Sequence, residues 1–142
     1  MERSELEKRL RAVFATRQVA ALATVTGEGK PWVRYVTLRM AEDMSLHIVT
    51  GASTRKAAEI RACPYVHLTC GALKPPDDSV YLQIAGRAEL SSDPEEKRSL
   101  WIDEYLRYFE GPDDPSFVVI RVRPEVIELM GPGSPTPSVW RR

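Results

Sequence analysis

The sequence predicts a mainly β, α+β fold in which six antiparallel strands close a barrel flanked by helices. Three observations lead there. Short apolar runs are separated by hairpin-type turn residues, and the second run alternates between two faces. Helix-like stretches stand only at the start, after the third strand and after the fifth, so the regular strand–helix alternation of a parallel sheet is missing. A chain of 142 residues with 43% hydrophobic content builds one core, expected over residues 1–130, with residues 131–142 as an extended arm rich in Pro and Gly.

Ser4 and Glu7 have the spacing of a capping box, and Leu6, Leu10, Val13 and Phe14 follow at helical intervals. Gln18 to Thr26 reads as the first strand, and Gly27-Glu28-Gly29-Lys30 supplies a turn into the second, Pro31 to Met40. On that strand Trp32, Arg34, Val36, Leu38 and Met40 share one face, while Val33, Tyr35, Thr37 and Arg39 share the other. Two arginines therefore leave opposite sides. Ser45 to Thr50 is a third strand, and Ser53 to Ala62 a helix with Ala57, Ala58 and Ile60 inward, stopped at Cys63-Pro64.

Tyr65 to Gly71 gives a fourth strand, Ala72 to Asp78 a polar surface loop, and Ser79 to Leu90 a long fifth strand in which Gly86 marks a bulge or a close backbone approach. Asp93 caps a helix with Pro94 at its first position, expected to run to about Phe109 and to carry the large residues Trp101, Tyr105 and Tyr108. That aromatic stripe suits either a subunit interface or burial against its own barrel. Phe117 to Met130 is the last strand, interrupted at Pro124; Trp140 in the arm either folds over a ligand or partner or, the favoured expectation, belongs to a mobile tail.

Twenty basic residues balance twenty acidic ones, which gives no general field for nucleic acid or an anionic membrane and points to a small-molecule partner. Cys63 and Cys70 lack metal-ligand spacing and read as reduced thiols, and no apolar run is long enough to span a bilayer, so the expected location is cytoplasmic. His47 and His67 fall within strands without a nucleophile elbow or clustered carboxylates and read as structural, so no metal is expected. No GxGxxG follows a strand, which removes a dinucleotide-binding turn.

The stretch with the clearest chemistry is Thr50-Gly51-Ala52-Ser53-Thr54-Arg55-Lys56. A helix start presents unpaired N–H groups and the positive end of the helix dipole, and this one adds hydroxyls and two cations. That combination holds a phosphate. Arg34, Thr54, Arg55 and Lys56 are expected to converge on one.

Four pieces in order, ALATVTGEGKPWVRYV, LHIVTGASTRKAAEIRACPYVHLT, VYLQIAGRAEL and LWIDEYLRYFEGPDDPSFVVIRVRP, resemble the FMN-binding split-barrel superfamily of pyridoxamine 5'-phosphate oxidase, in its general stress protein 26-like branch. The resemblance covers nearly all of residues 5–130 and implies a six-stranded antiparallel split β-barrel with flanking helices. It implies FMN contacts at Arg34, Val36, Thr37, Leu38 and Arg39 on the second strand, at Val49 and Thr50 on the third, and at Thr54, Arg55 and Lys56 around the phosphate. Tyr81 stands where the oxidases place a glutamine that reaches FMN in the neighbouring subunit. The resemblance further implies a homodimer with FMN at its interface.

The implied activity is that of an oxidoreductase or flavin reductase passing a hydride through flavin N5 to an unassigned small substrate, with no catalytic side chain identified. Alternatives are a non-catalytic flavin-binding stress-response protein and a relative that uses F420 or haem. Pyridoxamine 5'-phosphate oxidation itself is not expected. The substrate-holding C-terminal segment of the oxidases has no match in Gly133 to Arg142, and Glu128-Leu129-Met130 replaces the tyrosine and tryptophan of the stress-protein branch.

Overall fold

A computed structural model of the chain describes residues 1–72, 80–131 and 135–142. The expected loop from residue 73 onward, with Asp77-Asp78, and Ser79 of the expected fifth strand lie outside the described residues. The elements run α1 (Arg3–Val13), β1 (Gln18–Val25), β2 (Pro31–Met40), β3 (Leu46–Gly51), α2 (Arg55–Ala62), β4 (Tyr65–Ala72), β5 (Val80–Ser91), α3 (Pro94–Leu100), a 3-10 helix (Asp103–Arg107), β6 (Phe117–Met130) and β7 (Ser138–Arg141).

All strand pairs are antiparallel, in the order β3-β2-β1-β4-β5-β6, and β3 pairs with β6 to close the barrel. The length of β6 makes this possible. Its first half takes β3 along one edge, with Leu46 opposite Val122 and Gly51 opposite Phe117, and its second half gives the same edge to β7, with Leu129 opposite Ser138. Closure removes the free edges that an open sheet would expose. The inward residues Leu22, Leu38, Ile48, Leu68, Leu82, Ile84 and Ile120 are essentially fully buried. Each contributes about 1.5–3 kcal/mol of burial free energy. Leu6 and Leu10 of α1, with Phe14 just beyond it, join the same core.

Several expectations need correction. The Ser4–Glu7 capping box does not form: the helix begins two residues earlier, its N-cap Glu2 makes no side-chain cap, and Glu7 is instead engaged by Arg3 (3.0 Å) and by the Trp140 indole N–H (2.8 Å). The helix expected from Pro94 to Phe109 is broken at Trp101, which is extended (φ −66°, ψ 135°), and resumes as the 3-10 turn. Phe117, fully buried, is the reason. Trp101, Tyr105 and Phe109 all pack on its ring, with centroids at 5.3, 5.9 and 5.1 Å, a convergence that one straight helix would not give. Trp101 and Tyr105 are thus used by their own barrel, while Tyr108 stays exposed.

β6 passes through Pro124 without a break, because the register shifts at Ala85/Gly86 and Pro124 sits at that bulge, where its missing N–H costs no ladder bond. Gly86 is required there, since a Cβ would meet the Arg123 carbonyl oxygen at 2.7 Å. The mobile tail is the largest correction: Ser138–Arg141 is a strand, and Trp140 is buried in the barrel core with its indole N–H donated to Glu7. Arg3 also donates to the Arg141 carbonyl (2.7 Å), tying the two ends of the described chain together. No helix among the described residues is long and apolar enough to cross a membrane.

Candidate functional site

The expected alternation of β2 is present and decides what each residue offers. Val36 and Leu38 are buried inside the barrel, so only their backbone can face a ligand on the outer surface, whereas Thr37 and Val49 lie on the outer face next to one another. Beside them the chain leaves β3 at Gly51 and enters α2 through Thr54. Thr54 is the N-cap: its Oγ1 accepts from Ala57 N (3.4 Å) and donates to the Gly51 carbonyl (2.9 Å), and it lies 3.2 Å from Thr50 Oγ1. The loop is held from outside by Ala52 N donating to Ser116 O (2.8 Å) and by Arg61 donating to Ala52 O (3.0 Å).

These residues form one wall of a groove of about 710 Å³, within the size range of small-molecule sites. Thr37, Val49, Thr50, Thr54 and Lys56 line it on the barrel side. The opposite wall is the broken-helix segment, with Ile102, Tyr105, Tyr108 and Phe109, and the mouth carries Arg17, Glu104 and Arg107. Residue-by-residue reasoning did not assign the 102–109 wall to the site. The available signal was its unusual density of aromatics, which the expected single helix directed elsewhere.

The cations expected to converge are divided by an acid, Glu59, that the sequence did not single out. Glu59 of α2 is buried, and Ala58, expected to face inward, is exposed instead. Arg34 Nη2 donates to Glu59 Oε1 (3.0 Å), its Nη1 to Thr24 Oγ1 (2.6 Å), and Thr24 Oγ1 donates to the same carboxylate (2.9 Å). Arg55 reaches Glu59 Oε2 (3.4 Å), and its guanidinium lies 4.1 Å from the Trp32 ring centroid. Burial works against the Glu59 charge, but the hydrogen bonds from Thr24 and Arg34 and the Arg55 charge outweigh it, so its carboxyl titrates below the ordinary glutamate range.

Lys56 has no carboxylate partner among the described residues. It is half-buried in the groove wall, and desolvation, with the Arg34 charge adding to it, holds its pKa below the usual lysine value. Arg39 and Tyr81 stand apart: Arg39 is exposed opposite His47, Tyr81 lies between Gly71 and Met130, and neither lines the groove. Paired hydroxyls, an uncompensated ammonium and the apolar walls of Val49, Ile102 and Phe109 fit a phosphate tail joined to a planar apolar group.

The sequence profile of the pyridoxamine 5'-phosphate oxidase family matches residues 6–131. The chain belongs to that family. It is 33% identical over 137 residues to general stress protein 26 of Bacillus subtilis, covering 96% of each chain. General stress protein 26 from Bacillus anthracis superposes with a TM-score of 0.84 at 24% identity, covering 97% of this chain and 99% of that one. An FMN-binding protein related to pyridoxamine 5'-phosphate oxidase, from Nostoc punctiforme, has the same fold (TM-score 0.73, 19% identity, 99% and 90% covered). The fold is shared as well by an F420 reductase (TM-score 0.64) and a haem-binding protein of Mycobacterium smegmatis (TM-score 0.73).

Proposed function

We propose that this chain is an FMN-binding flavoprotein, with the phosphate held by Thr54 and Lys56 and the ring lying along Val49, Ile102 and Phe109 towards Thr37. Lys56 is the observation that carries the reading. A desolvated ammonium without a counter-ion is costly unless a ligand supplies the missing charge. Backbone N–H groups of β2 beside Thr37 supply donors for the ring edge. FMN held in this way supplies hydride transfer through its N5 atom, and the corresponding activity is that of a flavin reductase or related oxidoreductase acting on a small molecule.

Among the described residues the groove offers no His, Cys or Met to a haem iron, although Tyr105 and Tyr108 line it, so ligand identity is decided by experiment. F420 shares the phosphate chemistry. Mass spectrometry of the ligand released when native protein is denatured separates these: FMN supports the reading, and F420 or haem overturns it. Stopped-flow reduction by NADH or NADPH separates an enzyme from a flavin store, since only the enzyme is reduced at a useful rate.

The same reading includes a homodimer. The outer face of β1 and β2 exposes Val19 (63%), Val33 (62%) and Tyr35 (82%), with Ala21 and Ala23 between them and no charge on β1. Val19 is the cross-strand neighbour of Thr37, so this bare apolar face runs directly into the groove. A second copy of the chain is the occupant that would cover the face and complete the site. Light scattering of wild type and a Val19→Glu/Tyr35→Glu variant is expected to give a dimer and a monomer, the monomer with weakened FMN binding. The free thiols of Cys63 and Cys70 agree with a cytoplasmic location.

A further inference from the structure

A second cationic concavity lies at the other end of β3. Ser45 and Gly51 are six residues apart in sequence, which at ~3.3 Å per residue separates it from the groove by about 20 Å. It encloses about 750 Å³ and is walled chiefly by four arginines, Arg87, Arg121, Arg123 and Arg142.

The carboxylates on its rim are already engaged. Asp43 Oδ1 accepts from Ser45 N (2.9 Å) and Ser45 Oγ (2.5 Å), and Glu89 accepts from Arg121 (3.0 Å), which also bonds Glu96. Arg87 and Arg123 stand directly opposite each other on β5 and β6, an arrangement of like charges that destabilises a sheet when nothing intervenes. Neither has a hydrogen-bond acceptor or a carboxylate partner among the described residues; Arg87 touches only the Tyr65 ring, at 5.0 Å.

The third free guanidinium is held in place by the bulge. At Ala85/Gly86 the register skips Glu125, and Arg142 uses the backbone this frees, donating its N–H to Glu125 O (3.0 Å) and its Nε to Pro124 O (2.8 Å). Among the described residues its terminal nitrogens make no hydrogen bond; its guanidinium lies 5.5 Å from the Trp140 ring centroid and its charge acts on Asp43. Four guanidiniums against Asp43, Glu89 and the Glu96 that Arg121 bonds leave a formal charge of about +1, concentrated on arginines whose planar forks match phosphate oxygens.

We propose that this pocket binds a small phosphate-bearing polyanion, independently of the groove. The charge excess, the opposed Arg87 and Arg123 and the backbone-anchored Arg142 together form a site for a compact ligand with two or more negative charges. The test is calorimetric titration with inorganic pyrophosphate of wild type, Arg87→Gln, Arg123→Gln and Lys56→Gln. The expected result is a saturable event that weakens at least tenfold in Arg87→Gln and in Arg123→Gln and persists in Lys56→Gln. Melting temperatures of the two arginine variants without ligand should hold or rise, because a repulsion has been removed. Absence of saturable binding, binding indifferent to both arginine changes, or loss of the event in Lys56→Gln would each overturn the proposal.

Discussion

The two ends of β3 both gather cations, yet they make opposite use of them. Near Gly51, one buried acid, Glu59, takes the guanidiniums of Arg34 and Arg55 and leaves the Lys56 ammonium beside hydroxyls and apolar walls. Near Ser45, the acids hydrogen-bond Ser45 and Arg121, and the guanidiniums of Arg87, Arg123 and Arg142 outnumber the one remaining carboxylate, Asp43, at a polar concavity. Available charge is therefore set by where the carboxylates go, not by how many cations the sequence supplies. The first arrangement suits one phosphate on an otherwise apolar ligand, the second a compact polyanion.

The largest expected effect comes from breaking the anchor of the second region. Trp140→Ala should cost about 3–5 kcal/mol in chemical denaturation, because it empties a buried site. It also loosens β7 and Arg142, so pyrophosphate binding should weaken while FMN binding to the folded protein is kept. Next is Lys56→Gln, which should lower FMN affinity about 10- to 100-fold, as expected for a charge-assisted hydrogen bond of about 1.5–3 kcal/mol. The same change should leave the unliganded protein as stable as wild type or more so, since it removes a desolvated charge beside Arg34.

Glu59→Gln sharpens the comparison from the other side. Without the acid, Arg34 and Arg55 become available, and FMN should bind several-fold more tightly to a less stable protein. The pH dependence has a definite sign. The Glu59 carboxyl is depressed in the folded state, so its contribution is present above the ordinary glutamate value of 4.5 and is lost as pH falls through the lower folded value. Urea midpoints between pH 6 and 3 should therefore decline less steeply in Glu59→Gln than in wild type.

The smallest effect is alkaline. The Lys56 pKa lies below 10.5, so FMN affinity should fall as pH rises through that lowered value, and the fall should be absent in Lys56→Gln. In the unliganded protein the same depression favours the neutral amine, so the unfavourable contribution of Lys56 to stability is relieved as pH rises towards 10.5.

Much of this was legible in the sequence. The strict alternation of β2 put Arg34 and Thr37 on opposite faces, Gly86 marked the bulge, and Asp93 marked a helix cap, all because these signals depend on local backbone geometry, whereas the second helix starts at Arg55, two residues later than expected, with Thr54 as its cap. Glu59 was missed because a helix position is judged by its neighbours in sequence, whereas its burial answers to a charge on another element. The clue was Arg34 itself: an inward guanidinium among Val36 and Leu38 requires a buried acid. The broken helix at Trp101 and the strand around Trp140 were hidden for a similar reason, since Phe117 and Glu7, both distant in sequence, determine them.

The most direct measurement compares FMN with riboflavin, which lacks the phosphate, by quenching of flavin fluorescence in wild type and Lys56→Gln. The account predicts that wild type binds FMN at least tenfold more tightly than riboflavin and that Lys56→Gln largely removes this difference. Equal affinities in wild type, or a preference for FMN that survives in Lys56→Gln, would contradict it.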